Sequence, residues 1–354
     1  MKVILSTLLV PLILLGSCQY EGTGKYIPES DRRKEKYATP EPGTYLKPAA
    51  YTLLEIINDI TDDPESFAKP VDWVYKIFTP NQKKTLDTVI VFQGLRVPVR
   101  IYYPTRESLQ GDHPVTLFIH GGGFSYGSVE EYDMMAGKLA KITGTILISV
   151  EYRLSPGHPF PAALNDCYAV LCWLHENAPE IGGDAGRICL LGDSAGGNLA
   201  TVLTLRCRDE NRPQPACQVL IYPGVTFVDT RFDSRVYFGL CADKTYVIDD
   251  TFLRQVRSDY LGKRKNVSDP YISPLEATLT PDLPPAMVIT AECDPLRDEG
   301  RAYARKLKSA GVDVQHMEYS GMIHGFMNFH MIISDAVHAM KQIRDYLDQV
   351  LKKP

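Results

Sequence analysis

The sequence shows little imbalance of charge, no internal repeat and no low-complexity block. Its 354 residues carry a formal net charge of −5, which argues against nucleic acid as a partner and indicates no other one. A hydrophobic content of 44% is ample for a sizeable core. Length and composition therefore suit one large α/β domain with an inserted or added piece.

The chain also lacks the residue spacings of a metal site. It has eight cysteines but no C-x-x-C motif, so we expect no bound metal. The cysteines other than Cys18 lie mostly in apolar strand or helix patterns and are predicted to be small core residues. They are Cys167, Cys172, Cys189, Cys207, Cys217, Cys241 and Cys293. Their number is odd, and the sequence assigns no disulfide among them.

The apolar run at residues 3–15 is too short to span a bilayer comfortably. It is followed by small residues before a cysteine, Leu15-Gly16-Ser17-Cys18. This stretch resembles the lipobox of bacterial lipoproteins, in which the cysteine becomes the first residue and carries lipid. We therefore expect a signal peptide at residues 1–17, lipidation at Cys18, and a periplasmic or cell-surface protein anchored to a membrane. The alternatives are a plain secretory signal, which would release a soluble protein, and an uncleaved anchor.

Residues 18–48 read as a flexible tether. They are polar and charged, and they are interrupted by Pro28, Pro40, Pro42 and Pro48. About thirty flexible residues span roughly 30 Å on average, from about 5–6 Å times the square root of their number. Such a tether would hold a folded domain away from a membrane surface.

Buried strands alternate with helices through most of the remaining chain. Apolar strand patterns occur at residues 115–119, 145–150, 188–191, 219–222, 286–291 and 312–319, and helical patterns at 130–143, 161–177, 297–310 and 331–351. Two further β-rich runs, 87–94 and 97–103, predict an antiparallel start to the sheet. The fold class is therefore α/β, with a mostly parallel central sheet covered by helices on both faces.

One segment interrupts this alternation and divides the α/β core into two parts. Residues 224–281 show no clear buried strand but have a helical pattern at 249–261 and seven aromatic residues: Phe227, Phe232, Tyr237, Phe238, Tyr246, Phe252 and Tyr260. We interpret this segment as a cap insertion, partnered by short helices at residues 49–85. The α/β core then comprises residues 86–223 and 282–354.

The chain is organised around a Gly-x-Ser-x-Gly turn formed by Gly192, Ser194 and Gly196. An apolar strand precedes this turn, and a helical pattern from residue 198 follows it. Strand, tight turn and helix are the context of a nucleophile elbow, in which a strained turn projects the serine hydroxyl above the sheet. The alternative is an ordinary turn between a strand and a helix, which this short motif also fits.

A second glycine-rich loop follows the strand at 115–119, with the sequence His120-Gly121-Gly122-Gly123. Consecutive glycines allow the backbone to approach a substrate oxygen and to point its N–H groups at developing negative charge. The alternative is a flexible turn. Because an elbow follows later in the chain, we interpret the loop as part of an oxyanion hole.

An acid and a base follow the elbow in the chain. Asp294 stands just after the strand at 286–291, where it could orient a histidine or cap the following helix. Its neighbours Glu292, Asp298 and Glu299 are competing candidates for the acid. His324 follows the last strand, and the order Ser194, Asp294, His324 is the one expected of an α/β-hydrolase triad. We assign no role to Asp193, which adjoins the nucleophile.

These motifs together resemble the hormone-sensitive-lipase-like branch of the α/β-hydrolases, also called family IV esterases. The resemblance covers about residues 97–347 and rests on the glycine loop, Val150-Glu151-Tyr152-Arg153-Leu154-Ser155-Pro156, Phe160-Pro161-Ala162-Ala163, the elbow, Asp294-Pro295-Leu296-Arg297-Asp298-Glu299 and His324-Gly325-Phe326. It implies ester hydrolysis without a cofactor, a helical cap and a preference for short acyl chains. It also implies oxyanion donors at the N–H groups of Gly122, Gly123 and Ala195, supported by His120, Gly121, Gly192 and Gly196.

The sequence leaves two other functions open. A serine peptidase or amidase of the same fold would use the same three side chains, and a non-catalytic surface binding protein could keep the fold. The substrate we expect is a small ester, with acylated carbohydrate as one candidate class. The resemblance also allows a homodimer formed through the sheet edge.

Overall fold

The computed structural model describes residues 47, 49–50, 53, 85–104, 112–228, 232–235, 238 and 247–352. The expected signal peptide, Cys18, nearly all of the tether and most of the N-terminal cap segment lie outside the described residues, as do parts of the insertion. None of the helices in the described part of the chain is long and apolar enough to cross a membrane.

Eight strands form one sheet within the described residues. They are β1 (Thr85–Phe92), β2 (Leu95–Tyr102), β3 (His113–Ile119), β4 (Ile146–Val150), β5 (Gly183–Asp193), β6 (Cys217–Ile221), β7 (Ala286–Cys293) and β8 (Val314–Ile323). Their order across the sheet is β1-β2-β4-β3-β5-β6-β7-β8. Strand β2 pairs antiparallel with β1 and β4, and all other neighbours are parallel. The predicted mostly parallel sheet with an antiparallel start is confirmed.

Helices cover both faces of this sheet. They are α1 (Asp133–Thr143), α2 (Ala162–Asn177), α3 (Ala195–Asp209), α4 (Asp250–Leu261), α5 (Arg297–Ser309) and α6 (Ser334–Val350). One buried apolar cluster joins Leu190 of β5 to residues of α2, α3 and α5, and a second joins Leu191 to residues of α1 and α6. Successive side chains of a strand point to opposite faces of the sheet. A strand with a continuous apolar run, such as residues 188–191, is therefore buried on both faces.

The observed elements differ from the predicted ones at their ends. Helix α3 begins at Ala195, three residues before the predicted start, because Gly196 and Gly197 are weak helix formers whose helical conformation comes from tertiary packing. Strand β8 runs to Ile323 rather than stopping at residue 319, and it passes Gly321 at a φ of +68°. A register shift between Ala291 and Cys293 accompanies this extension.

The strand ends bring the predicted motifs to one edge of the sheet. His120 follows β3, Ser194 follows β5, Asp294 follows β7 and His324 follows β8. These four strands are parallel, so their carboxyl ends lie at the same edge, where α/β sheets bind ligands. Sequence positions more than 200 residues apart are thereby placed in one site.

Helix α4 lies between β6 and β7 in the chain and packs against the glycine loop. A Cβ atom added to Gly123 would lie 2.5 Å from Val256 Cγ2 and 3.3 Å from Phe252 Cζ. The Tyr260 ring stacks on Phe124, with 3.7 Å between ring centroids. The described part of the insertion therefore covers the loop, whereas the extent of a cap over residues 49–85 and 224–281 stays a prediction.

Candidate active site

Three side chains form a hydrogen-bonded chain at the carboxyl edge of the sheet. His324 Nε2 lies 2.9 Å from Ser194 Oγ, and His324 Nδ1 lies 2.8 Å from Asp294 Oδ2. Asp294 is fully buried and His324 is 5% exposed, whereas Ser194 is partly exposed. The three side chains are thus within hydrogen-bond reach of one another in the arrangement of a Ser-His-Asp triad, which could supply a nucleophile, a base and an orienting acid.

Asp294 orients His324, but it is not the N-cap of the following helix, which was the alternative role suggested by its sequence position: α5 begins at Arg297, and its N-cap is Leu296, with no side-chain cap bond. Its Oδ1 accepts a hydrogen bond of 2.8 Å from the Leu296 N–H, while its backbone oxygen accepts one from the Arg297 N–H, the first residue of α5. The other carboxylate oxygen stays directed at His324. The turn before the helix therefore fixes the orientation of the carboxylate.

The competing acids bind elsewhere. Glu292 Oε2 accepts the Gly321 N–H at 2.9 Å. Asp298 accepts the Ser234 N–H at 2.9 Å. Glu299, fully buried, accepts the Val225 N–H at 2.7 Å and pairs with Arg235 at 2.6 Å. The contacts of Asp298 and Glu299 attach the insertion to the start of α5, and Asp294 is left as the acid that contacts His324.

Ser194 sits in a strained backbone conformation. Its φ is 55° and its ψ is −117°, a region that non-glycine residues rarely occupy and that costs about 1–3 kcal/mol. The Ser194 N–H donates to the Ile221 oxygen at 2.8 Å. A Cβ on Gly196 would lie 1.9 Å from the Ile119 oxygen, so only glycine allows α3 to approach β3 this closely. The surrounding backbone thus holds the serine in its raised position.

The glycine loop presents unused N–H groups. Gly122 and Gly123 have φ values of +104° and +59°, and the Gly122 oxygen accepts the N–H groups of Ser125 and Tyr126 at 3.1 and 2.8 Å. The N–H groups of Gly122 and Gly123 donate to no other residue in the described ranges. Ala195 is the first residue of α3, so its N–H has no partner within the helix. These donors suit a developing oxyanion.

His120 supports this loop as a buried ring. Its Nδ1 lies 2.8 Å from the Gly121 oxygen, and the ring stacks on Tyr152 with 4.2 Å between centroids. Complete burial lowers the pKa of His120 to about 4, so the ring is neutral near pH 7 and Nδ1 donates. The Tyr152 hydroxyl donates to the His120 oxygen at 2.9 Å. His120 therefore shapes the loop and is not placed to act on Ser194.

Asp193 contacts the site although the sequence indicated no role for it. Its Oδ1 accepts the Gly121 N–H at 2.8 Å, and its Oδ2 accepts the Tyr132 hydroxyl at 3.2 Å. Asp193 is 1% exposed, and burial raises its pKa from 3.8 to about 7. One signal was present in the sequence, because an acid that ends a fully apolar strand must find hydrogen-bond partners.

The described residues contain no group of three or more His, Cys, Asp or Glu side chains that could hold a metal ion. The cysteines of the described ranges are free and buried: Cys167, Cys172, Cys189, Cys207, Cys217 and Cys293. Their burial agrees with the core positions expected from the sequence. Cys241 lies outside the described residues.

A sequence profile of the alpha/beta hydrolase fold matches residues 116–328, which include the glycine loop, the elbow, Asp294 and His324. The chain is 38% identical to a carboxylesterase of Mycobacterium tuberculosis over 262 residues, covering 72% of this chain and 78% of that protein. It is 36% identical to an ethyl acetate hydrolase of Pseudomonas putida over 259 residues, covering 73% of this chain and 80% of that protein.

Solved structures agree with these sequence relatives. A hyperthermophilic esterase from the archaeon Pyrobaculum calidifontis superposes with a TM-score of 0.77 at 36% identity, covering 86% of this chain and 98% of the esterase. A thermostable esterase from Pseudomonas putida superposes with a TM-score of 0.80 at 28% identity, covering 90% of this chain and 100% of that one. The similarity therefore extends over the sheet and its helices.

The raised pKa of Asp193 predicts a pH-dependent stability. Between about pH 4 and pH 7, native Asp193 keeps a proton that the unfolded chain has lost, so raising the pH through this window destabilises the fold. Subtracting the unfolding free energy of Asp193→Asn from that of the wild type should isolate this effect. We expect the difference to fall by up to about 4 kcal/mol, since each pKa unit corresponds to about 1.4 kcal/mol. Urea denaturation at pH 4, 5, 6, 7 and 8 measures it, and a constant difference would contradict the raised pKa.

Proposed function

The chain belongs to the α/β-hydrolase family, and from that premise we propose that Ser194, His324 and Asp294 are the catalytic triad of a carboxylic ester hydrolase. The observation that carries the proposal is the unbroken hydrogen-bonded chain from Asp294 through His324 to Ser194. Relatives named carboxylesterase, ethyl acetate hydrolase and arylesterase support serine-dependent ester hydrolysis as the activity.

The first half of the reaction acylates the serine. Neutral His324 accepts the Ser194 proton at Nε2 while Ser194 Oγ attacks the ester carbonyl carbon. Asp294 stays ionised, holds the ring in the tautomer with a proton on Nδ1 and stabilises the imidazolium. The carbonyl oxygen becomes an oxyanion, which accepts the N–H groups of the oxyanion hole. The intermediate collapses as His324 donates its new proton to the departing alcohol, leaving an ester bond to Ser194.

The second half repeats these steps with water. His324 removes a proton from a water molecule as its oxygen attacks the acyl carbonyl, and a second oxyanion forms on the same donors. Collapse returns the proton to Ser194 Oγ and releases the carboxylic acid. The donors are positioned before substrate binds, because the Gly122 oxygen accepts two N–H groups and α3 fixes Ala195. Fixed donors need no reorganisation when negative charge develops, which is the main source of their effect on rate.

We expect Ser194→Ala to abolish hydrolysis of p-nitrophenyl acetate, with kcat at least about 10⁴-fold lower, because no other group forms the acyl-enzyme. Steady-state kinetics and labelling with a fluorophosphonate measure this loss. Ser309→Ala, at the exposed C-terminal end of α5, is the matched control and should leave kcat and labelling unchanged. Near-native turnover by Ser194→Ala would contradict the assignment.

A comparison of an ester with its matching amide as substrates of the wild type separates esterase from amidase activity. Faster cleavage of the amide would favour the peptidase alternative.

We propose short acyl chains as the preferred substrates. Val256 and Phe252 of α4 pack closely against Gly123, and the stacked rings of Phe124 and Tyr260 lie beside the glycine loop. These side chains limit the space for an acyl chain next to the oxyanion donors. One relative is named for ethyl acetate, a two-carbon acyl ester.

We expect lower turnover of p-nitrophenyl decanoate than of p-nitrophenyl butyrate, because the apolar side chains of Val256, Phe252 and Tyr260 leave little space for a long acyl chain beside the glycine loop. Val256→Ala should raise the decanoate-to-butyrate ratio of kcat/KM by about tenfold, the effect of a small volume change in an apolar pocket. Arg254→Ala changes an exposed side chain of the same helix and serves as the control. Equal ratios in the wild type and both variants would argue against Val256 as the limit on chain length.

We also propose that the protein is exported and lipidated at Cys18. The support is the sequence Leu15-Gly16-Ser17-Cys18 directly after an apolar run of signal-peptide length. Expressed in a bacterial host, the wild type should fractionate with membranes and incorporate labelled palmitate, because the lipid anchors it. Cys18→Ser should lose both properties. A soluble, unlabelled wild type cleaved at another position would indicate plain secretion instead.

A further inference from the structure

We propose that Asp193 is a positioning residue for the oxyanion hole, whose carboxyl group joins the glycine loop after β3 to the turn that carries Ser194. The proposal rests on the proposed function, since it concerns the geometry of that hole. Asp193 has no place in the triad, yet it is the residue directly before the nucleophile and is buried between the two halves of the site.

The first contact links neighbouring strand ends. Strands β3 and β5 are paired in register up to Ile119 and Gly192, so Asp193 lies beside the first residues of the loop. Its Oδ1 accepts the Gly121 N–H at 2.8 Å. A Cβ added to Gly121 would lie 2.7 Å from Asp193 Oδ2, which means that the carboxyl group fills the space a side chain at position 121 would need.

The second contact links the carboxyl group to α1. Asp193 Oδ2 accepts the hydroxyl of Tyr132, the residue preceding α1, at 3.2 Å. The start of α1 is itself held to β2, because Asp133 accepts the Tyr102 hydroxyl at 2.8 Å and pairs with Arg100 at 2.9 Å. The buried carboxyl group of Asp193, at the end of β5, therefore connects three segments: the elbow turn, the glycine loop and the start of α1.

This arrangement sets the spacing between the two sources of oxyanion donors. The Gly121 N–H is fixed by Asp193, and the next two peptide groups carry the N–H groups of Gly122 and Gly123. Ala195, the third donor, lies two residues beyond Asp193 on the other side. Without the carboxyl group, the loop loses its bond to the elbow, and the donors on the two sides can shift relative to each other. Donors must lie within a few tenths of an ångström of hydrogen-bond distance from the oxyanion to be effective.

The hydrogen bonds, rather than the charge, are the useful property of this carboxyl group. A negative charge behind the hole opposes the oxyanion while it favours the imidazolium of His324, so its two effects on the transition state have opposite signs. The other groups that face Asp193 are the hydroxyl of Tyr132 and, farther away, Tyr152. An asparagine can accept the Gly121 N–H through its oxygen and donate to the Tyr132 oxygen through its amide, so it should replace the aspartate.

The experiment compares kcat and KM for p-nitrophenyl butyrate at pH 8 in the wild type, Asp193→Ala and Asp193→Asn. We expect Asp193→Ala to lower kcat about 10- to 100-fold, less than the roughly 10²–10³ for complete removal of a donor, with KM within about threefold. Asp193→Asn should restore kcat to within about fivefold of the wild type. Tyr132→Phe removes only one of the two bonds and should lower kcat about 2- to 10-fold relative to the wild type. It tests the proposal if Asp193→Ala does not fold, and an unchanged kcat in Tyr132→Phe would then contradict it.

Asp166→Ala is the matched control. Asp166 is also a buried carboxylate, 3% exposed, and it accepts hydrogen bonds from Arg153 and not from the glycine loop. The control should lower the thermal midpoint but keep kcat within about threefold, which separates general destabilisation from mispositioned donors. Three results would each overturn the proposal: full kcat in Asp193→Ala, an Asp193→Asn as slow as the alanine variant, or an equal loss in the control. Wild-type turnover and fluorophosphonate labelling test the proposed function separately, because they do not depend on these ratios.

Discussion

The geometry of the candidate active site depends on the close approach of the elbow turn to the end of β3. The Gly196 backbone lies so near the Ile119 oxygen that a Cβ atom added to Gly196 would lie 1.9 Å from it. A Cβ atom added to Gly192 would likewise lie 2.2 Å from the Gly196 oxygen. This close approach brings the start of α3 beside the glycine loop, and Ser194, in the turn between β5 and α3, adopts its strained conformation there. Ser194 and the candidate oxyanion donors therefore lie on adjoining, closely packed segments, and strain of about 1–3 kcal/mol at Ser194 is offset by the buried sheet around it.

Buried carboxyl groups hold the remaining parts in place. Asp294 orients His324, Asp193 bonds the glycine loop, and Glu299 binds the start of the insertion together with Arg235. Each is at most 1% exposed, and each accepts at least one backbone N–H, which offsets the free energy of removing it from water. The environments of Asp193 and Glu299 differ, but the dominant effect on the pKa is the same. Burial raises the pKa of both Asp193 and Glu299, although Glu299 faces a guanidinium and Asp193 does not.

Much of the fold and most of the candidate site could be predicted from the residues. The apolar strands are buried on both faces, so their pattern is unambiguous, and the motifs follow strand ends whose common edge is dictated by parallel pairing. Element ends were less predictable. Helix α3 starts at Ala195 only because packing against β3 stabilises two glycines in a helix, and β8 continues past Gly321 only because it pairs with β7. Neither cause is local in sequence.

The sequence by itself determined the sheet, the order of Ser194, Asp294 and His324, and the glycines without which the elbow cannot form, since these follow from periodicity and side-chain volume. Tertiary structure alone decided which acid contacts His324, because Glu292, Asp298 and Glu299 are neighbours of Asp294 in sequence and differ only in direction. It also decided the place of Asp193, whose partners Gly121 and Tyr132 lie more than 60 residues away. Hydrogen bonds between distant segments depend on where the strands bring their ends, and no local pattern encodes that.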